Sequence, residues 1–118
     1  GLLIIRFNLF SLLQKWSTDN HIWVRRASLI SQLPSIRKNQ YHYNLILECC
    51  SNLINEKDFF IRKAIGWVLR ELSEINPEDS INITSLFSGR ISKLSLKEAT
   101  RKLDEDLKLR IIENVKPC

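Results

Sequence analysis

Asp58-Phe-Phe-Ile-Arg-Lys-Ala-Ile-Gly-Trp-Val-Leu-Arg-Glu-Leu-Ser-Glu-Ile-Asn76 carries a long uninterrupted helical pattern near the middle of the chain. Asp58 is a favourable helix cap, and Asn76 stands immediately before Pro77, so the spacing predicts one helix between them. At 100° per residue, Ile61, Ala64, Ile65, Val68, Leu72 and Ile75 fall on one stripe, the expected core face. Lys63, Trp67 and Arg70 lie within about 60° of one another on the other side of the wheel. A tryptophan between two cations thus points away from the core stripe, with Gly66 beside it. Two readings fit these residues. A flat aromatic flanked by cations suits a polyanion carrying bases, or a cationic ring. Alternatively a second helix covers Trp67, and Gly66 is a close helix contact that offsets the cost of about 1 kcal/mol of glycine in a helix.

Outward from this helix, the 118 residues are enough for one domain, 1–118. Three glycines and three prolines argue for long helices with few turns. The net charge of +5 permits nucleic-acid binding without requiring it. Adjacent Cys49 and Cys50 are expected as small core residues, with Cys118 in a loose tail, in a reducing cytoplasm. No Cys/His spacing resembles a metal site, and neither metal nor cofactor is expected. The apolar run from Leu2 to Leu13 is interrupted by Arg6 and Asn8, too short to span a bilayer, and reads as a buried helix of a larger stack. The start at Gly1 with no methionine anywhere reads as a fragment or processed chain.

About six helices are expected. Besides the central one they run from Leu2 to Trp16, from His21 to Leu33 (stopped by Pro34), from Tyr41 to Ile54, and from Pro77 to near Gly89. Ser95-Leu96-Lys97-Glu98 reads as a capping box that opens the sixth, ending near Leu103. Residues 104–118 are dense in charge and are expected to fray.

An internal repeat relates these helices. Trp23-Val24-Arg25-Arg26-Ala27 aligns with Phe60-Ile61-Arg62-Lys63-Ala64, aromatic, β-branched, basic, basic, alanine, at an offset of 37 residues. That period is close to those of HEAT and armadillo arrays, so the expected architecture is an all-α solenoid of HEAT-like repeats. In this register Arg26 is the counterpart of Lys63, which places cations at equivalent points of successive helices. Such a row can follow a phosphate backbone, although the same positions are basic in arrays built only for packing.

The segment Phe59 to Glu71 resembles a helix of the DNA alkylation repair family, alkylpurine DNA glycosylases built from HEAT-like repeats. Lys15-Trp16, Asp19-Asn20, Ile22-Trp23 and Arg26-Ala27 match the same family in order, as does Leu94 to Ala99. The resemblance spans about Lys15 to Leu103. It implies hydrolysis of the N-glycosidic bond of N3- or N7-alkylated purines in duplex DNA held in a basic cleft. By the same resemblance Trp67 contacts the nucleotide at the lesion, and Arg26 engages the DNA backbone and a catalytic carboxylate. The family's Trp-Asp-x-x-Asp element has no counterpart among these residues; Asp19 and Asp58 read as helix caps. The expectation is therefore a DNA-binding part of a glycosylase, with Arg26, Lys63, Trp67 and Arg70 on the DNA and the catalytic aspartate missing. It would work in the cytoplasm at the nucleoid. The alternative is a HEAT-like adaptor whose protein partner covers Leu2, Ile5, Leu9 and Leu12.

Overall fold

The computed structural model describes the backbone of residues 2–118 and the side chains from residue 9 onward. The described residues form helices and no strands: α1 (Leu2–Trp16), α2 (Ile22–Ile30), α3 (Leu33–Arg37), α4 (Tyr43–Leu53), α5 (Phe59–Ile75), α6 (Pro77–Leu86), α7 (Lys93–Thr100) and α8 (Glu105–Asn114). The chain is all-α as expected.

The central helix starts and stops where its sequence places the signals. The Asp58 carboxylate accepts from the amides of Phe60 at 2.8 Å and Ile61 at 3.1 Å, two donors that the first turn cannot satisfy internally. Asn76 closes α5 and also caps α6, its side chain accepting from the Asp79 amide at 3.2 Å. Pro77 then occupies the first turn of α6, where no donor is needed. Ile61, Ala64, Ile65, Val68 and Leu72 are buried, and Leu69 joins them. Ile75, placed on the core stripe by periodicity, is 37% exposed at the end of the helix. Helices α2, α3, α6 and α7 all pack on α5, with α7 making the most extensive contact. Cys49 and Cys50 are free thiols in the core, and burial pushes the Cys49 thiol up to about 11.

The described residues form eight helices where about six were expected, the additions being α3 and α8, and His21 rather than Asp19 caps α2, its side chain accepting from the Trp23 amide. Three further differences concern boundaries. Pro34 ends no helix; it sits in the first turn of the short α3, which is retained because Leu33 and Ile36 are buried. Helix α7 begins earlier than the Ser95 capping box implied. Its cap is Ser92, whose hydroxyl accepts from the Ser95 amide at 3.0 Å, while the Ser95 hydroxyl donates to the Arg62 carbonyl of α5 at 2.7 Å. Finally, the segment expected to fray contains α8, capped by Asp104, with Ile111 and Val115 buried. The last residues are tied back to the α6–α7 turn. The Gly89 amide donates to the Lys116 carbonyl at 2.7 Å and the Cys118 amide to the Ile91 carbonyl at 2.6 Å. Gly89 has φ of 84°, a left-handed conformation that a side chain would strain. No described helix is long and apolar enough to cross a membrane.

Candidate nucleic-acid interface

The two aligned segments place like residues in like positions. Trp23 at the start of α2 and Phe60 at the start of α5 touch, with ring centroids 5.4 Å apart, and Phe59 meets Phe60 edge-on at 5.3 Å. All three rings are about half exposed, at 50%, 47% and 55% for Trp23, Phe60 and Phe59. Trp16 and Trp23 line a shallow open recess next to this edge, together with Ala27. From the rings, the helical period carries Arg26 and Ile30 along α2, and Lys63 and Trp67 along α5, on corresponding faces.

The paired basic residues have different fates. Arg25 is committed to neighbouring groups, bonding Glu56 through Nε at 3.0 Å and Nη2 at 2.9 Å and donating to the carbonyls of Asp19 and Asn20. Its counterpart Arg62 donates to the Glu56 carbonyl at 3.2 Å. These two arginines fasten the helix starts together. Arg26 enters no ion pair among the described residues, and its buried Nε has no hydrogen-bond partner among them. Lys63 lies 3.4 Å from Glu98 with its side chain 43% exposed.

Arg70 is less accessible than its wheel position suggested. Its side chain is only 15% exposed, and Nη1 is bonded to Oε1 of Glu98 from α7. Arg101 approaches the same carboxylate at 3.7 Å. Glu98 is thus a nearly buried anion shared by three cations, two of them from the face that the sequence read as basic. The closeness of α7 explains Gly66. A Cβ built there would stand 2.6 Å from Glu98 Cβ and 3.0 Å from the Ser95 carbonyl oxygen. Gly66 is a close helix contact, the second of its two sequence readings.

Trp67 is half-buried against the core, neither fully displayed nor covered. Its indole Nε1 donates to Oε1 of Glu71 at 3.3 Å, and Arg37 of α3 donates to the same oxygen at 2.9 Å. That bond from Arg37 holds the Glu71 carboxyl below the usual carboxylate range. An ionised Glu71 therefore fixes the edge of the tryptophan ring. The exposed Trp23 and Phe60, and the acidic partners Glu71 and Glu98, are the residues that sequence reasoning missed. The aromatic pair was within reach, since both rings head the aligned segments. Of the apolar N-terminal surface, Leu9 and Leu12 are exposed at 52% and 41%, while the side chains of Leu2 and Ile5 lie outside the described residues.

No curated protein sequence matches the chain. A family model described as DNA alkylation repair enzyme matches residues 6–103, which include all of α2 to α7. On that match, the chain belongs to the DNA alkylation repair enzyme family.

Proposed function

We propose that the face formed by α2 and α5 is one wall of a duplex-DNA cleft and that the chain serves the repair of alkylated purines. In this reading α2 and α5 are equivalent helices of a HEAT-like solenoid. Arg26 and Lys63 contact the phosphate backbone, and Trp67 meets the nucleotide at the lesion. The observation that carries the proposal is the juxtaposition, in a member of this family, of two corresponding cations with a row of accessible aromatic rings. Phosphates are held by charge, and bases, especially cationic ones, by aromatic faces.

These residues bind rather than cleave. Loss of an alkylated base develops positive charge on the sugar, which a free carboxylate can stabilise. Asp58 is a cap, Asp19 accepts from the His21 amide at 2.8 Å, and Glu71 and Glu98 are engaged by arginines. None is matched to the family's aspartate.

The test is fluorescence anisotropy on a labelled duplex across a salt series. Two phosphate contacts give a slope of log affinity against log salt near −2, since each releases about 0.9 counterion. Arg26→Ala with Lys63→Ala should flatten the slope to near zero, whereas Trp67→Ala should weaken binding roughly tenfold or more at unchanged slope. A double variant with the wild-type slope would remove DNA from this face. The second reading, a protein adaptor, rests on the exposed Leu9 and Leu12 of α1, and it gains if wild-type binding is absent.

A further inference from the structure

We propose that Glu98 is a positioning residue that decides which cations of the cleft wall are available to phosphate. The inference rests on the DNA-binding reading above and adds a role for α7, which no cleft motif indicated. Three observations place Glu98 there. Its side chain is only 11% exposed, its Oε1 holds Arg70 Nη1, and its Oε2 lies 3.4 Å from Lys63 Nζ. Its Cβ and Cγ are seated against Gly66, which fixes the base of the side chain beside α5 and sets the carboxylate between Lys63 and Arg70. Arg101 adds a third positive charge at 3.7 Å, one that stays 55% exposed.

The two α5 cations are held unequally. Lys63 has a longer contact and a side chain 43% exposed, and an ammonium has three donors, so it can keep Glu98 and still reach a phosphate. Arg70, with its side chain 15% exposed and one end of its fork on the carboxylate, is turned toward α7. Glu98 thereby occupies the place that a phosphate would take at Arg70. The wall presents fewer charges than its sequence holds, which keeps its grip on undamaged backbone weak. Affinity then depends more on the aromatic residues, which meet bases, than on charge, which meets every phosphate alike.

Glu98→Gln tests this, because it preserves the atoms packed on Gly66 while removing the charge and one of the two acceptors that hold Lys63 and Arg70. On an unmodified duplex, the salt slope should steepen from near −2 to near −3 as Arg70 becomes available, with about eightfold tighter binding at 0.1 M salt. A purely structural role would weaken binding and leave the slope alone, and that result would overturn the proposal. Arg70→Gln is the independent variant should Glu98→Gln fail to fold. It should leave the wild-type slope unchanged, and a slope flatter by about one would show Arg70 on phosphate and reject the inference. Absence of wild-type binding would instead reject the DNA-binding reading itself, and the two failures are distinguished by that control.

Discussion

Val68→Asp is expected to abolish the cooperative thermal transition. Val68 is fully buried in the middle of α5, on the stripe with Ile61, Ala64, Ile65 and Leu72. An aspartate there must either keep a charge with no cation beside it or take up a proton at a cost. Either way the penalty is several kcal/mol, against a total stability of about 5–15 kcal/mol for a domain. Because α2, α3, α6 and α7 all pack on α5, the loss cannot be confined to one end of the chain. Circular dichroism at 222 nm with a thermal ramp is the measurement. Glu74→Ala, on the exposed side of the same helix, is the control and should change little. A Val68→Asp variant that melts like the wild type would show that the core lies elsewhere.

Gly66→Ala is expected to lower the melting temperature by up to roughly 10 °C, against the usual trend for such a change. In an open helix, alanine in place of glycine adds about 1 kcal/mol of stability. Here the new methyl group would stand 2.6 Å from Glu98 Cβ and 3.0 Å from the Ser95 carbonyl oxygen. Neither is the far end of a flexible side chain, so α7 must move off α5, and overpacking of this kind costs typically 1–3 kcal/mol. A rise in melting temperature would mean that α7 does not rest on Gly66.

These two residues also mark how far the sequence could be read. Signals confined to one helix were legible: the Asp58 cap, the Asn76-Pro77 break, and the stripe that buries Val68. The 37-residue offset between Trp23 and Phe60 correctly aligned helix starts that meet in space. What depended on distant partners was not legible. Proline at 34 looked like a stop because nothing local shows that Leu33 and Ile36 are buried. Lys63 and Arg70 looked like a free basic face because Glu98, which holds them, is 28 or more residues away. Gly66 told of a close approach but not of what approached. The acidic and basic tail looked unable to pack, yet two apolar residues, Ile111 and Val115, are enough to seat α8 and its end.

If DNA lies on the α2–α5 face, an NMR titration of the nitrogen-15-labelled chain with a duplex will register it residue by residue. The largest backbone amide shifts are expected at residues 23–30 and 60–71, with the indole signals of Trp23 and Trp67 moving together with them. Shifts concentrated instead at Lys93, Lys97 and Lys108, which line a separate recess between α7 and α8, would contradict it.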